Sequence, residues 1–195
     1  MSQMPQSARP VLSCTGVRVG FDRPLLGPLD LRLGRGERMV LTGPNGAGKS
    51  LLLRALIGQA RVFGGRVDRL PRTTTCLLAQ EHPRPALWPL SGQDWFRALG
   101  AGAPAHGPVR ELLPHRLDRL SGGQWQLLRL AAVLHTSADV LLLDEPANHL
   151  DAEVRDSALG LLQSLPPQTA VLMTSHDTDF LAGTGFPAVP LAELL

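Results

Sequence analysis

Residues 43–50, which read Gly-Pro-Asn-Gly-Ala-Gly-Lys-Ser, have the residue types and the spacing of a phosphate-binding loop. The glycines let the backbone curl closely, so that successive N–H groups can point at one polyphosphate. Lys49 supplies a cation, and Ser50 supplies a hydroxyl suited to magnesium. Lys49 is also the only lysine in the sequence, because the other eighteen basic residues are arginines. We therefore expect this loop to bind phosphate groups.

A strand and a helix are predicted on either side of this loop. Apolar residues 39–42 precede it and apolar residues 51–57 follow it, and this strand, loop and helix context makes the motif specific. The helix start adds unpaired N–H groups and the positive end of the helix dipole, both of which favour an anion. The helix is apolar on all sides, so we expect it to be buried and to end at Gly58.

Other predicted strands also end in polar side chains that could act on one phosphate. They are Gln80 after residues 73–78, Asp144 and Glu145 after residues 139–143, and His176 after residues 169–174. In a parallel α/β sheet, ligands bind at the edge formed by the carboxyl ends of the strands. Two adjacent carboxylates at that edge would be costly for folding alone. Together with the loop, these residues predict nucleotide hydrolysis, which needs charge neutralisation and an aligned water.

Each of these side chains has a predicted role in that reaction. Lys49 and the loop amides would hold the β- and γ-phosphates, and Ser50 with Asp144 would hold magnesium. Glu145 would polarise the attacking water as a general base. His176 would hydrogen-bond the γ-phosphate and position that base.

A second glycine-containing helix start is predicted at residues 120–124, Leu-Ser-Gly-Gly-Gln. Ser121 is expected to cap this helix, and its apolar residues lie on one face. Two adjacent glycines normally weaken a helix start. Their presence beside a capping serine favours exposed N–H groups that closely approach a phosphate.

Length and composition limit the class of protein. A chain of 195 residues with 44% hydrophobic and 18% charged residues is typical of one globular domain. It has no apolar run near the ~18 residues that a spanning helix needs, no signal peptide, and only two cysteines, so a cytoplasmic protein is expected. The net charge of +2 includes no block of like charge, which argues against nucleic-acid binding.

On these motifs the chain resembles an ATP-binding cassette (ABC) ATPase, the nucleotide-binding subunit of an ABC transporter. The resemblance rests on residues 43–50 (Walker A loop), Gln80 (Q-loop), residues 120–124 (family signature), residues 140–145 (Walker B strand with its catalytic glutamate), residues 148–151 (D-loop) and His176 (switch histidine). The signature is the most specific of these, because general phosphate-loop proteins lack it.

The resemblance implies an α/β P-loop fold with a mixed or parallel sheet core, an N-terminal antiparallel β-subdomain and a short helical subdomain. Residues 1–195 would form one domain, with residues 11–82 and 121–195 as the catalytic core and residues 83–120 as the helical subdomain. The implied activity is that of an ATP hydrolase coupled to transport, with ATP and Mg²⁺ as ligands.

The resemblance also implies a set of site residues. The catalytic residues would be Lys49, Gln80, Glu145 and His176, and the magnesium site would use Ser50, Gln80 and Asp144. The nucleotide would contact Phe21, Gly43, Pro44, Asn45, Gly46, Ala47, Gly48, Lys49, Ser50, Leu51, Ser121, Gly122, Gly123, Gln124 and Asp151. In the family the signature binds the ATP held by the opposite subunit, so a head-to-tail dimer with a second ATPase subunit, expected to be identical, is implied.

Some residues depart from the family pattern. Leu51 stands where threonine is usual, which removes a hydroxyl from the phosphate site and predicts weaker ATP binding. Phe21 replaces the commoner tyrosine that stacks on adenine but keeps the ring face. Ala79 precedes Gln80 where proline is common.

The implied partner is a transmembrane permease, which would place the chain peripherally on the inner face of the cell membrane. We expect the docking surface in residues 80–96, from the apolar side chains Leu87, Trp88, Pro89, Leu90, Trp95 and Phe96. Residues 87–90 and 171–177 resemble ATPases of zinc and manganese importers. Trp125 and Gln126 resemble those of cobalamin transporters, and a heme transporter is a further alternative.

Other ABC ATPases offer competing interpretations. Residues 148–151, Asn-His-Leu-Asp, resemble the D-loop of soluble translation-factor ATPases, although those carry two cassettes in one chain. A chromosome-maintenance ATPase would need a long heptad insertion, which the sequence lacks. A subunit that binds ATP without hydrolysing it is disfavoured because Glu145 and His176 are both present.

Overall fold

The computed structural model describes residues 9–80, 89–148 and 150–195, and its strands form two sheets. The amino-terminal sheet is antiparallel, with the order β2-β1-β4, and consists of β1 (Leu12–Gly20), β2 (Pro24–Leu33) and β4 (Arg61–Arg69). In β2 the side chains of Leu29, Leu31 and Leu33 are buried, whereas Asp30 and Arg32 are exposed. Apolar and polar residues alternate at positions 29–33 of the sequence, which predicts a strand with one buried face, and the structure confirms this pattern in a strand that begins at Pro24.

The second sheet is parallel and has the order β5-β6-β7-β3-β8. Its strands are β3 (Arg38–Thr42), β5 (Thr75–Leu78), β6 (Val140–Asp144), β7 (Ala170–Thr174) and β8 (Ala188–Pro190). The four strands that precede the predicted site residues are thus neighbours, so their carboxyl ends lie side by side at one edge. With the antiparallel sheet and the intervening helices, this confirms the predicted α/β P-loop fold.

Six α-helices connect or follow these strands in the described part of the chain. They are α1 (Lys49–Leu56), α2 (Gly92–Ala98), α3 (Pro108–Leu112), α4 (Gly122–Leu134), α5 (Ala152–Gln163) and α6 (Thr178–Thr184). Helix α6 was not expected from the sequence, because its short segment has no clear apolar periodicity. None of the helices in residues 9–80, 89–148 and 150–195 has both the length and the apolar character needed to cross a membrane.

The parallel sheet separates two clusters of buried apolar side chains. On one face, Leu142 and Leu172 pack with α1 and the antiparallel sheet. On the other face, Leu141 and Leu143 pack with α4 and α5. Because both faces are covered, β6 and β7 are apolar at nearly every position, as the sequence predicted.

Residues 89–120, the described part of the predicted helical segment, share a core with the rest of the chain. Phe96 and Leu117 belong to the same apolar cluster as α4 and the parallel sheet. Phe96 is only 1% exposed, so the expectation that it forms part of a docking surface is wrong. Leu87 and Trp88 lie outside the described residues.

One expectation about the helices is also wrong, and the burial of another helix is more extensive than predicted. Helix α1 is not apolar on all sides, because Arg54 is exposed on its surface. Helix α4 buries more than the predicted apolar face, since every residue from Trp125 to Leu134 is buried. It packs against α2, α3, α5 and β5, and this number of neighbours could not be predicted from its periodicity.

Candidate active site

The loop between β3 and α1 has the backbone shape that its glycines predict. Gly43, Gly46 and Gly48 have φ values of 142°, 79° and 101°, which side chains rarely adopt. The Lys49 ammonium donates to the carbonyl oxygen of Gly43 at 2.8 Å and to that of Pro44 at 3.1 Å. An ammonium has three protons, so the loop itself uses two and holds this charge against its own backbone.

The start of α1 is shaped for an anion. Its cap residue, Gly48, has no side chain to accept the N–H groups of the first turn. Those groups and the helix dipole therefore remain suited to a phosphate. A side chain on Gly48 would also come within 3.0 Å of Leu26, so the loop can pack this closely against β2 only with glycine here.

Asp144 at the end of β6 joins the loop to the neighbouring strand. Its Oδ1 accepts a hydrogen bond from the Ser50 hydroxyl at 2.9 Å and another from the Thr174 hydroxyl at 2.8 Å. Asp144 is 2% exposed and Thr174 is fully buried, so these bonds compensate for burying the carboxylate. Thr174 was not predicted as a site residue. Its signal was a polar side chain at the end of an otherwise apolar strand.

Glu145 is held in an unusual backbone conformation beside this group. Its φ is +50°, which is uncommon for a residue other than glycine, and its N–H donates to the Thr174 hydroxyl at 3.0 Å. The Glu145 Oε2 lies 3.0 Å from His176 Nδ1. The carboxylate is an acceptor, so Nδ1 carries the proton, and Nε2 is left for another partner.

The Glu145 carboxylate is 9% exposed, whereas the His176 ring is 55% exposed. Glu145 therefore lies at the inner wall of the site and His176 at its mouth. This pairing is the one predicted from the ends of β6 and β7, and the sheet order makes it possible because these strands are adjacent.

These groups open onto a cleft of about 740 Å³. It is lined by Leu25, Asn45, Gly46, Ala47, Gly48, Lys49, Ser50, Leu51, Gln80, Glu145, Asn148 and His176. The structure thus brings together the phosphate loop and the predicted residues from the ends of β5, β6 and β7. The cleft volume falls in the range of small-molecule sites.

Two lining residues were not predicted. Leu25 is 55% exposed on β2 and forms an apolar wall, and the sequence offered no signal that this strand would reach the loop. Asn148 follows Glu145 by three residues, and its N–H donates to the Glu145 carbonyl at 3.1 Å. Its signal was its place in the segment at residues 148–151.

The donor set at Ser50 and Asp144 fits a magnesium ion. A hydroxyl and a carboxylate oxygen lie 2.9 Å apart, and magnesium prefers such hard oxygen ligands. Gln80, the third predicted ligand, lines the same cleft through its exposed side chain. The residues present therefore fit the cofactor that the sequence predicted.

The structure leaves several predicted nucleotide contacts outside the cleft lining. They are Phe21, Gly43, Pro44, Ser121, Gly122, Gly123, Gln124 and Asp151. Phe21 is 51% exposed, so its ring is accessible although it does not line the cleft. The carbonyl oxygens of Gly43 and Pro44 face the Lys49 ammonium. Asp144 does not line the cleft itself, but it accepts a hydrogen bond from Ser50, which does.

The turn at Ser121 is closed by a reciprocal pair of hydrogen bonds. The Ser121 hydroxyl accepts from the Gln124 N–H at 3.1 Å, and the Gln124 carbonyl Oε1 accepts from the Ser121 N–H at 2.9 Å. This capping box confirms Ser121 as the N-cap of α4. Asp151 caps α5 in a similar way, because its carboxylate accepts from the Val154 N–H at 2.9 Å.

The chain is similar to known ABC transporter ATP-binding proteins. A sequence profile described as "ABC transporter" matches residues 26–148. The ABC transporter ATP-binding protein YfmM of Bacillus subtilis is 31% identical over 169 residues, covering 83% of this chain and 32% of that protein. The zinc import ATP-binding protein ZnuC of Roseobacter denitrificans is 35% identical over 164 residues, covering 80% of this chain and 64% of that protein.

The fold of the chain is also similar to that of a solved ABC transporter ATP-binding protein. An ABC transporter ATP-binding protein from Pyrococcus furiosus superposes with a TM-score of 0.75, at 20% identity, over 94% of this chain and 98% of that one. The chain spans about a third of the length of YfmM and just under two thirds of the length of ZnuC. Because the profile covers most of the chain and includes the phosphate loop, Asp144, Glu145 and the α4 turn, the chain belongs to the ABC transporter family.

Proposed function

We propose that this chain is the ATP-binding and ATP-hydrolysing subunit of an ABC transporter. The observation that carries the proposal is the Glu145 carboxylate, held by His176 at the wall of the phosphate-loop cleft. Its domain would be residues 1–195, with residues 11–82 and 121–195 as the core and residues 83–120 as the helical subdomain. Family membership supports the activity, and the site geometry supports the residue roles.

The residues of the cleft would divide the work of phosphoryl transfer. Lys49 and the N–H groups of the loop would bind the β- and γ-phosphates and balance their charge. Glu145 would accept a proton from the attacking water. His176, whose Nδ1 proton already points at Glu145, would keep that carboxylate oriented and present Nε2 toward the phosphate. Gln80 would contact the γ-phosphate from the end of β5.

Ser50 and Asp144 would hold Mg²⁺, with Gln80 as a further ligand. When bound, the ion neutralises phosphate charge and orients the β- and γ-phosphates for transfer. Thr174 supports this role, because its hydroxyl fixes the same Asp144 oxygen that faces Ser50. The remaining nucleotide contacts would come from Phe21, Leu51 and the loop residues 43–48.

Ser121, Gly122, Gly123, Gln124 and Asp151 would contact the nucleotide of a second copy. They lie outside the cleft of their own chain, and the first three are at or near the surface. A head-to-tail homodimer would place each such turn over the partner's cleft, so that two nucleotides are enclosed at the interface.

The transport role needs a permease, which would hold the subunit at the cytoplasmic face of the cell membrane. The 35% identity to a zinc import ATP-binding protein supports a metal-ion importer of the zinc or manganese class. The docking surface would lie near Pro89 and Leu90, which are exposed and partly exposed, rather than at the buried Phe96.

The direct test is phosphate release by the purified wild-type chain with MgATP, alone and after co-expression with candidate permeases. We expect ATP hydrolysis by the chain, and stimulation by Zn²⁺ or Mn²⁺ in the assembled complex. No hydrolysis and no thermal stabilisation by MgATP would contradict the enzymatic assignment. Hydrolysis that no metal stimulates, in a complex that does form, would contradict only the substrate assignment.

A soluble ATPase of the translation-factor kind is the second candidate. The resemblance of residues 148–151, Asn-His-Leu-Asp, to the D-loop of those proteins favours it. Co-sedimentation with ribosomes, and failure to bind any candidate permease, would support this function over transport.

A further inference from the structure

Arg129 on α4 is a buried arginine that links two parts of the proposed active site. It is 4% exposed, and its Nη2 donates to the carbonyl oxygen of Ala79 at 2.6 Å. Its Nη1 donates to the side-chain Oε1 of Gln126 at 2.7 Å. Gln126 in turn donates from Nε2 to the carbonyl oxygen of Pro146 at 3.1 Å. A single guanidinium thus bridges, directly and through Gln126, two backbone carbonyls from the turns that follow β5 and β6.

The two carbonyls belong to the neighbours of proposed catalytic residues. Ala79 directly precedes Gln80, and Pro146 directly follows Glu145. A guanidinium is planar and rigid, so this pair of bonds holds the turn after β5 at a set distance from the turn after β6. Both bonds also tie these turns to α4, whose first residues form the capped turn at Ser121.

Burying the charged guanidinium of Arg129 costs free energy, and a purely structural role would not require that charge. Burial lowers the pKa of its guanidinium, although it remains protonated. Among residues 9–80, 89–148 and 150–195, no carboxylate forms an ion pair with it. Its partners are neutral oxygens and the face of Trp125, whose ring centroid is 5.9 Å from Cζ. An apolar side chain of similar volume would fill this space without burying a charge.

We propose that Arg129 is a positioning residue that aligns Gln80 with Glu145, so that both reach the same phosphate, and couples their placement to the start of α4. The proposal rests on the proposed ATPase function. It predicts that loss of the guanidinium leaves the phosphate loop intact but separates the two turns. Nucleotide binding would then persist while turnover falls.

The test compares Arg129→Met with a matched control, Arg38→Met. Arg38 also donates to backbone carbonyls, at 2.8 Å to Leu165 and 3.3 Å to Pro166, but it lies at the opposite end of the sheet from the cleft. We expect kcat to fall by about 10- to 100-fold in Arg129→Met, with little change in the Kd for MgATP. Arg38→Met should keep kcat and lose stability instead.

Two further variants separate positioning from packing. Arg129→Lys keeps the charge but loses the planar guanidinium that bonds both oxygens, so its kcat should lie between those of the wild type and Arg129→Met. Gln126→Leu keeps Arg129 but removes the bond to Pro146, and we expect it to lower kcat as well. If kcat in Arg129→Met stays within about twofold of the Arg38→Met value, the proposal is overturned.

Amide hydrogen exchange of the nucleotide-free proteins provides a test that does not depend on hydrolysis. In Arg129→Met, peptides that contain residues 79–80 and 145–148 should exchange about 2- to 30-fold faster than in the wild type. Arg38→Met should instead affect residues 162–166. Unchanged exchange at both turns overturns the proposal. If the wild type releases no phosphate, the proposed ATPase function fails, and the exchange result alone decides the role of Arg129.

Discussion

The chain contains two glycine-rich helix starts, at α1 and at α4, and they differ in how much of a phosphate site each completes. At α1, three glycines with positive φ wrap the backbone around the Lys49 ammonium. At α4, Gly122 and Gly123 are the first residues of a regular helix, and a serine side chain caps them. The first start lines the cleft with the residues from β5, β6 and β7, whereas the second does not.

This difference shows that a glycine-rich helix start forms a phosphate site only where other segments supply the remaining groups of that site. The α1 loop shares one cleft with the Lys49 cation, the Ser50 hydroxyl and the Glu145 carboxylate, which we propose as the general base. The α4 turn is exposed, and among the described residues it does not line the cleft that holds Lys49, Glu145 and His176. A nucleotide could use it only if a second chain carried it to the cleft, which is why we propose a dimer.

The largest effect is expected from Lys49→Ala, which removes the only ammonium from the α1 loop. In the wild type, ATP at about one hundred times its Kd should raise the free energy of unfolding by roughly 2.7 kcal/mol, and the variant should lose this gain. Thermal unfolding with and without MgATP measures it. Arg54→Ala, which removes an exposed cation from the same helix, should keep the gain. Stabilisation of Lys49→Ala equal to that of the wild type would refute the role of the loop.

Glu145→Gln should separate binding from hydrolysis at the α1 site. The amide oxygen can still accept from His176 Nδ1, but it cannot serve as a base, so phosphate release should fall by about 10² to 10⁴. ATP should still bind, and an ATP-bound dimer should accumulate. Light scattering after size-exclusion chromatography with MgATP measures the mass. Full turnover by this variant would show that another group acts as the base.

Ser121→Arg in the Glu145→Gln background tests whether the α4 turn faces the partner's cleft. The added bulk should abolish the ATP-bound dimer, while the monomer should still bind MgATP because its own cleft is unchanged. Ser164→Arg adds the same side chain at the far end of α5 and should still dimerise. A stable dimer of the Ser121→Arg variant would mean that this turn is not at the interface.

The smallest effect concerns the glycines themselves. Gly46 and Gly122 both have open space where a Cβ would stand, so neither alanine substitution should clash. Gly46 has a φ of 79°, and alanine there should lower the free energy of unfolding by about 1 kcal/mol. Gly122 is helical, and alanine there should raise it by about 0.5–1 kcal/mol. Urea unfolding of the nucleotide-free proteins measures both free energies. Changes of the same sign in the two variants would contradict the difference drawn between the two helix starts.

Much of the fold and the candidate site could be predicted because the signals were local. The phosphate loop is set by glycine spacing, and the ends of β5, β6 and β7 were marked by polar residues after apolar runs. Thr174 and Leu25 were missed because their contribution depends on which strand lies beside which. The burial of Phe96 was also missed, because an aromatic residue in a segment interrupted by prolines gives the same sequence pattern in a core and at an interface.

The sequence by itself determined the shape of the loop at residues 43–50, the capped start of α4 and the alternation of β2, because each depends on residues close together in the chain. Only the tertiary structure decided that β5, β6, β7 and β3 are neighbours, so that Gln80, Glu145, His176 and Lys49 share one cleft while Ser121 does not. It also decided that Arg129 joins Ala79 to Gln126 and Pro146. The physical reason is that strand pairing and helix packing follow from burying apolar surface between distant segments, and no local spacing records which segments will meet.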